Sequence, residues 1–407
     1  MYKIDKKKLK NSPRPVRFWE CSLAVFNELI SRLGNVREKG HVQHTLGKHY
    51  ETGENDPGFF LNRTLDYYCT ANQYHMPGYS LADRNKVREQ IFQYVPLKQI
   101  QHPDGDIYVQ EVTVSNGDKN LRPVIAVANT RVKEENILAG IRGLWEVDHG
   151  RGDKLRQILE STRQENADIL LFPECFIPMR LLDEVSKFAV SEQVMVVTGV
   201  EHVTVGGVSY NFIVTILPFM NKGIKDAVIS YRLKNHYSHG ESLLIKANHV
   251  SLPVTTPHIY DLFIWNGIYF SSYYCFELAD VHHRSLFKGK IDLLIASEFN
   301  PDVNYFSNIV ESISRDIHAY VAQVNTSQFG DTRITRPSRT EIKDILKLKG
   351  GINDTILTGQ IDLIALREFQ RELYIKTKDD KRFKPLPPNY SLKDVLRRIK
   401  GQSIFGD

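Results

Sequence analysis

From residue 122 onward, short apolar runs alternate with amphipathic segments, and this alternation most constrains the fold. PVIAVANT and ADILLFPE are apolar runs separated by a helical segment through roughly 155–165. LLDEVSKFAVSEQ then predicts a helix, and QVMVVTGVEHV and VSYNFIVTILPF predict strands. The apolar residues around 259–275 predict a buried strand pair. Strands that alternate with helices are typical of an α/β fold and argue against an all-α chain.

Three of these stretches each end in a residue type that a thiol-based amide hydrolase needs. They are ADILLFPECFIP around Glu174, YRLKNHYSHGE around Lys234 and Glu241, and YFSSYYCFELAD around Cys275. A carboxylate can take the proton of a thiol while an ammonium stabilises the oxyanion that follows attack. We therefore predict that Glu174, Lys234 and Cys275 meet where strands end.

Each of these residues also has a purely structural interpretation. A cysteine after an aromatic strand often fills a core, a lone lysine is usually a surface charge, and Glu241 could cap a helix. Glu174 ends a strand as apolar as ILLF, where a carboxylate needs a partner. The order of all three motifs favours function, whereas Cys175, on the opposite face by strand alternation, is predicted to pack.

The length and the cysteine content of the chain limit which class of protein it can be. A chain of 407 residues exceeds one ordinary domain, so we expect a large catalytic domain and an appendage. Its four cysteines are scattered without a CxxC pair, which predicts a reducing, cytoplasmic setting. No apolar run reaches about 18 residues, and the charged N-terminus does not resemble a secretory signal, so no membrane association is expected.

The net charge of +5 is concentrated at the two ends. Residues 1–20 carry +5 and residues 371–400 carry +6, which leaves −6 on the remainder. Basic ends on an acidic body could contact nucleic acid, but solvated tails are the simpler interpretation.

The chain divides into three segments. Residues 1–120 are predicted to form an N-terminal extension with a basic arm, a helix from Phe18 to Leu33 capped by Gly34, a helix over LADRNKVREQIFQYV and one strand over IYVQEVTV. Residues 121–370 form the catalytic domain, and residues 371–407 form a basic tail.

The region from about 122 to 370 resembles the nitrilase superfamily of carbon–nitrogen hydrolases. The resemblance lies in the DILLFPE match, Lys-Asn-His from Lys234, the Gly-Glu pair that ends in Glu241, and Cys-Phe-Glu from Cys275. It implies a four-layer α-β-β-α sandwich with a mostly helical N-terminal extension. It also implies that Glu174 is the general base, that Glu241 orients water, and that the chain forms a homodimer or higher homo-oligomer.

The sequence departs from that family around the nucleophile. FSSYY before Cys275 is bulkier than the small, glycine-containing strand that is usual, and Ala279, Asp280 and Val281 stand where Phe-Pro-Glu is common. We therefore expect an unusual floor to the substrate pocket.

No cofactor and no metal site are predicted. His41, His44 and His49 share one polar segment, and His282 and His283 are adjacent, but neither group has a carboxylate or thiol at ligand spacing. No glycine-rich phosphate loop occurs.

Two functions follow. The first is hydrolysis of an amide or nitrile through a thioester on Cys275. The second is a nitrilase-like assembly or sensing module of a larger system, such as a phage-defence reverse transcriptase, that contacts nucleic acid through its basic ends.

Overall fold

The computed structural model describes residues 16–35, 59–72, 97–103, 105–114, 119–144, 149–221, 223–372 and 380–406. Its helices are α1 (Phe18–Asn35), α2 (Phe59–Asn72), α3 (Glu134–Ile141), α4 (His149–Gln164), α5 (Leu182–Glu192), α6 (His239–Ala247), α7 (Val281–Ser285), α8 (Val303–Ile317), α9 (Leu363–Arg371) and α10 (Leu392–Lys400). Short 3₁₀ turns cover Met179–Leu181, Cys275–Ala279 and Thr340–Ile342.

The strands are β1 (Leu97–Gln101), β2 (Ile107–Val114), β3 (Val124–Asn129), β4 (Ile169–Leu171), β5 (Met195–Gly199), β6 (Val203–Val205), β7 (Val208–Tyr210), β8 (Phe212–Asn221), β9 (Ile224–Leu233), β10 (His258–Trp265), β11 (Ile268–Tyr274), β12 (Leu293–Glu298), β13 (Tyr320–Asn325), β14 (Thr332–Thr335), β15 (Asp344–Leu348) and β16 (Thr355–Gln360). They build an eight-stranded sheet in the order β1-β2-β10-β11-β12-β13-β14-β15 and a six-stranded sheet in the order β16-β3-β4-β5-β8-β9. In both sheets the central strands are parallel: β11, β12 and β13 in one, and β3, β4 and β5 in the other.

The two sheets face each other across an apolar core. On β3, Ile125 and Val127 point into this core, while Ala126 and Ala128 point to the helices outside. Such two-sided burial explains why this strand reads as a continuous apolar run. Phe270 and Ile295 contribute from the opposite sheet.

Helices cover the outer face of each sheet. Side chains of α1, α3, α4 and α5 pack on the six-stranded sheet. Side chains of α8, together with Leu286 and Phe287 just after α7, pack on the eight-stranded sheet. The order of layers is therefore α-β-β-α, and the predicted α/β sandwich is confirmed.

The first helix is joined to the six-stranded sheet through Asp226. This carboxylate on β9 accepts hydrogen bonds from the backbone N–H groups of Phe18 and Trp19 at 2.9 and 3.1 Å. Farther along the helix, the ring of Phe26 stacks on Tyr231 with 3.9 Å between ring centroids. A carboxylate at a helix N-terminus satisfies amide groups that have no partner within the helix.

Some element boundaries differ from the prediction. Gly34 lies inside α1, which ends at Asn35, so its predicted role as a cap is wrong. The strand within ADILLFPE stops at Leu171, because Pro173 cannot donate to a ladder. Helix α2 and strand β1 were not predicted, and the helix expected over LADRNKVREQIFQYV lies outside the described residues.

Strands from the predicted extension belong to the main sheet. The predicted strand IYVQEVTV is β2, which pairs antiparallel with β1 and parallel with β10. Residues 97–114 therefore extend the eight-stranded sheet by two strands. The proposed boundary near residue 120 remains a prediction about domains.

The C-terminal segment also packs on the sandwich. Arg398 on α10 is fully buried and pairs with Asp292, which also accepts a hydrogen bond from Arg367 Nε at 3.0 Å. The backbone N–H of Ile404 donates to Glu111 Oε2 on β2 at 2.7 Å. Interpreting these C-terminal charges as a solvated tail is therefore wrong for Arg398. Over the described residues, no helix is long and apolar enough to cross a membrane.

Candidate active site

Strand ends bring the predicted residues together. Lys234 directly follows β9, Cys275 directly follows β11, and Glu174 lies three residues beyond β4. The carboxyl ends of parallel strands in an α/β sheet are the usual position of a binding crevice. In this sandwich the ends of both sheets meet, so residues far apart in sequence become neighbours.

The thiol, carboxylate and ammonium are in contact. Cys275 Sγ lies 3.6 Å from Glu174 Oε2, and Lys234 Nζ donates to Glu174 Oε1 at 2.8 Å. Glu174 and Lys234 are almost completely buried, and Cys275 is 8% exposed. The arrangement allows proton transfer from the thiol to one oxygen of the carboxylate while the other stays paired.

Glu241 combines the two roles considered for it. Its backbone N–H donates to Ser238 Oγ at 3.2 Å, which completes a capping box at the start of α6. Its carboxylate also accepts from Lys234 Nζ at 2.6 Å and lies 3.5 Å from His202 Nε2. Lys234 is thus shared between two carboxylates.

Glu277 links the loop that begins at Lys234 to the 3₁₀ turn that begins at Cys275. This fully buried carboxylate accepts from Asn235 N at 2.7 Å and from Tyr274 N at 2.9 Å. Arg232 donates to both of its oxygens at 2.8 Å. Because Asn235 follows Lys234 and Tyr274 precedes Cys275, one side chain fixes the backbone next to both functional groups.

Asn211 is a contributor that the sequence analysis missed. Its Nδ2 donates to Glu174 Oε1 at 2.9 Å, its Oδ1 accepts from Tyr274 OH at 2.7 Å, and its backbone carbonyl accepts from Lys234 N at 2.9 Å. An amide interrupting the apolar run VSYNFIVT, between β7 and β8, was the available signal.

The interpretation of Cys175 as facing away from the site is wrong. The strand ends before it, so alternation does not apply, and its φ of 60° turns the chain sharply after Glu174. The thiol lines the same cavity as Cys275 and also packs in the outer core. It accepts a contact from Asn211 Nδ2 at 3.8 Å.

The site opens into a cavity of about 300 Å³. Glu174, Cys175, Lys234, Glu241 and Cys275 lie along its polar end. Its apolar wall comes largely from one face of α3, and the wall residues are Ile137, Leu138, Ile141, Leu244, Phe299 and Pro301. A volume at the low end of the usual range of about 300–1,000 Å³ suits a small molecule.

Burial and the Lys234 ammonium give the carboxylates of Glu174 and Glu241 different pKa values. Burial raises the pKa of Glu174 above its usual value of 4.5, with Lys234 opposing this and Glu241 adding to it. Burial acts the same way on Glu241, but Lys234 and His202 outweigh it and lower its pKa to about 2. Two interacting carboxylates with pKa values pushed apart indicate one proton acceptor and one permanent anion.

The thiol and the ammonium are both held in their protonated forms. Burial, followed by the charge of Glu174, raises the pKa of Cys275 well above its usual value. Burial disfavours the charged form of Lys234, yet Glu174 and Glu241 together raise its pKa. The Cys275 thiol is therefore uncharged, so any attack by its sulfur would require loss of the proton.

A second buried carboxyl lies behind this cluster. The carbonyl of Glu298 accepts from Glu174 N at 3.3 Å, and its side chain accepts from Gln323 Nε2 at 3.1 Å. Burial raises the pKa of Glu298 to about 8, so it is mostly uncharged at neutral pH. A neutral neighbour adds little repulsion against ionisation of Glu174 and Cys275.

Solved structures similar to this chain belong to the CN-hydrolase, or nitrilase, superfamily. A CN-hydrolase superfamily protein from Xanthomonas campestris, with an arsenic adduct in its active site, is 13% identical with a TM-score of 0.45, over 65% of this chain and 98% of that one. An amidase from Nesterenkonia sp. is 12% identical with a TM-score of 0.42, over 61% of this chain and 95% of that one.

The NitFhit protein of C. elegans is 13% identical with a TM-score of 0.45, over 65% of this chain and 66% of that one. No protein-family model matches the chain, and no curated protein matches it in sequence. TM-scores below 0.5 describe a distant similarity, so the geometry of the site carries the functional conclusion.

Proposed function

We propose that the protein hydrolyses a non-peptide carbon–nitrogen bond in a small amide or nitrile, through a thioester on Cys275. The observation that carries this proposal is the contact of the Cys275 thiol with Glu174, whose second oxygen binds Lys234. All three groups line one cavity. A buried thiol that only fills a core has no need of a carboxylate, an ammonium or open space.

For an amide, the first half of the reaction forms the acyl-enzyme. Cys275 Sγ attacks the carbonyl carbon as its proton passes to Glu174 Oε2. The resulting oxyanion is stabilised by Lys234 Nζ and by the backbone N–H of Phe276. When the adduct collapses, Glu174 returns the proton to the leaving nitrogen, the carbon–nitrogen bond breaks, and an amine or ammonia departs.

The second half regenerates the thiol. Glu174 takes a proton from water, the hydroxide attacks the thioester carbonyl, and the proton returns to sulfur as the acid leaves. Glu241 keeps Lys234 charged and near the reacting centre, since its own carboxylate is ionised throughout. With Ser238 and His202, which also line the cavity, it borders the space where this water would lie.

The shape and lining of the cavity support a proposal for the substrate class. Its reacting end is polar and its wall on α3 and Phe299 is apolar. A volume near 300 Å³ admits a small acyl group but not a folded peptide segment. We therefore propose a short amide or nitrile with an apolar acyl part as substrate.

The direct test is formation of a covalent adduct. Intact-protein mass spectrometry after incubation with a panel of amides, esters and nitriles should show one added acyl mass. The Cys275→Ala variant should show none, while Cys175→Ala, which removes the other thiol of the cavity, should still form the adduct. An adduct that persists in Cys275→Ala and disappears in Cys175→Ala would contradict the assignment, as would no adduct with any compound.

The assembly or nucleic-acid role has no contact in the described residues that favours it. Much of the basic N-terminal arm lies outside them, and the buried Arg398 is engaged by Asp292. A gel shift with RNA and DNA at low salt tests it, because phosphate binding weakens steeply as salt rises.

A further inference from the structure

We propose that His236, His258 and His283 form a binding site for a divalent transition metal of the Zn²⁺ class, outside the catalytic cavity. One ring nitrogen from each residue lies within 4.8 Å of the other two. None of the three lines the cavity around Cys275. A metal bound there would connect the loop after Lys234 to helix α7, which follows the 3₁₀ turn at Cys275.

Three separate elements supply the imidazoles. His236 lies in the loop after β9, His258 begins β10, and His283 lies on the short helix α7. The ring centroids are 4.5 Å apart for His236 and His258, 4.6 Å for His236 and His283, and 4.9 Å for His258 and His283. In many metal sites the fold brings together three ligands that lie far apart in sequence.

The distances suit a tetrahedral metal after small side-chain movements. Zn–N bonds of about 2.0–2.1 Å place ligand nitrogens about 3.4 Å apart around a tetrahedral ion. His236 Nε2 and His283 Nδ1 are 2.8 Å apart, and every pair is within 4.8 Å. Imidazole is a preferred ligand of Zn²⁺, and three histidines leave a fourth position for water or another ligand.

The surroundings favour a cation. Asp280 accepts from the backbone N–H groups of His282 and His283, and Asp106 acts on His258 through its negative charge. Glu277 is also close but is neutralised by its bidentate partner Arg232. The carboxylates of Asp106 and Asp280 therefore remain to offset the charge of the metal.

The histidines are in the form that binds metal. Burial lowers the pKa of all three, and each is lowered further by another member of the group. Neutral imidazoles can ligate without first losing a proton. Nδ1 of His258 is buried and has no hydrogen-bond partner among the residues that the structure describes, and a metal is one way to satisfy such a nitrogen.

Tyr260 would orient the site. Its hydroxyl lies 2.9 Å from His283 Nδ1, and its ring lies under Arg232 at 5.3 Å from the guanidinium carbon. Polar groups that contact a ligand or a metal-bound water tune many metal sites. Because His236 is two residues from Lys234, a bound metal would restrict the same loop that Glu277 holds.

The test measures metal bound to the full-length protein. After exhaustive dialysis against a chelator and then titration with Zn²⁺ alone, calorimetry should show one site, and dialysed Zn²⁺-loaded protein should retain one metal per chain. The variants His258→Gln and His283→Gln should each weaken this site at least about tenfold. Substitution with Co²⁺ should give the visible absorption of a four-coordinate ion in the wild type but not in His258→Gln or His283→Gln.

Two controls separate this site from incidental binding. His282→Gln, which changes the exposed neighbour of His283, should leave affinity and the Co²⁺ spectrum unchanged. A variant with His41, His44 and His49 all changed to Gln lacks the three histidines of the N-terminal segment. It should also bind Zn²⁺ as the wild type does. Circular dichroism should show that every variant is folded.

Two results would overturn the proposal. One is wild-type protein that binds no Zn²⁺ more tightly than His258→Gln does, which would leave the cluster as hydrogen-bonded histidines. The other is loss of binding in the N-terminal control but not in His258→Gln. Neither result depends on hydrolase activity, so the proposed reaction is tested independently.

Discussion

At the scale of residues, one ammonium between two carboxylates creates the chemical asymmetry of the site. Lys234 Nζ lies 2.8 Å from Glu174 and 2.6 Å from Glu241. Glu241 is also close to His202, whereas Glu174 is more deeply buried. The pKa of Glu241 is therefore lowered and that of Glu174 is raised, which makes Glu174 the more readily protonated of the two carboxylates.

This asymmetry predicts the pH dependence of catalysis. Glu174 must be ionised to accept a proton, so kcat/KM should rise with pH through an apparent pKa above 4.5 and then level off. Glu174→Gln should lower kcat by about 10²–10⁴ and remove this acidic limb. The exposed Glu135→Gln variant is the matched control and should keep both the rate and the limb.

A steady-state pH–rate profile makes that comparison. An acidic limb of unchanged position in Glu174→Gln would assign the titration to another group. Loss of the limb in Glu135→Gln would do the same.

At the scale of elements, the site depends on how closely β5 passes behind Glu174. A Cβ built on Gly199 would lie 2.6 Å from Glu174 Cα and 2.9 Å from Cys175 N. Both contacts are with backbone, which cannot rotate away. Gly199 therefore sets the position of the Glu174 turn relative to the end of β5.

Gly199→Ala should displace Glu174 and lower kcat by about 100-fold, because small misplacements of reacting groups are costly. It should also destabilise the fold by about 1–3 kcal/mol, as overpacking does. Gly152→Ala is the control, since the three atoms nearest to its added Cβ belong to the Arg156 side chain, at 3.7 Å or more. Urea denaturation and steady-state kinetics on both variants provide the measurements.

Wild-type kinetics in a folded Gly199→Ala protein would contradict this account. A loss of stability alone, with kcat unchanged, would show that β5 shifts and Glu174 does not.

At the scale of the whole molecule, buried ion pairs hold the C-terminal helices on the eight-stranded sheet. Asp292, which directly precedes β12, forms ion pairs with Arg367 of α9 and Arg398 of α10. Despite burial, these two guanidinium groups lower the pKa of Asp292 below 3.8. The stabilisation is thus present above the unfolded pKa and is lost only as pH falls through the lower, folded one.

Arg398→Met should lower the free energy of unfolding by about 3 kcal/mol, because it leaves part of a buried charge without its partner. Lys393→Met, at an exposed position of the same helix, should change stability by less than about 0.5 kcal/mol. Urea midpoints between pH 6 and 8 should show a constant difference, since Asp292 does not titrate there. Equal midpoints for wild type and Arg398→Met would show that the ion pair of Arg398 with Asp292 adds no net stability.

The predicted homo-oligomer is also a property of the whole molecule and stays a prediction. Sedimentation equilibrium should give a mass of at least twice 46.9 kDa. A single species at the monomer mass across the accessible concentrations would contradict it.

Much of the candidate site could be predicted along the chain because each proposed functional residue follows a strongly apolar strand. Glu174 follows ILLF, Cys275 follows an aromatic run, and the Lys-Asn-His segment follows β9. The strands themselves were predicted for the same reason, since burial on both faces leaves an uninterrupted apolar signature. The residues of α2 and β1 have weaker hydrophobic patterns, so these two elements were not predicted.

The sequence by itself determined the alternation of strands and helices and the chemical identity of the proposed reacting groups, because both are local properties of short segments. Only the tertiary structure decided which distant side chains meet: Asn211 on Glu174, Glu277 across two loops, Cys175 in the cavity, and three histidines from separate elements. These contacts depend on how two twisted sheets are placed against each other, and no local pattern in a single chain encodes that placement.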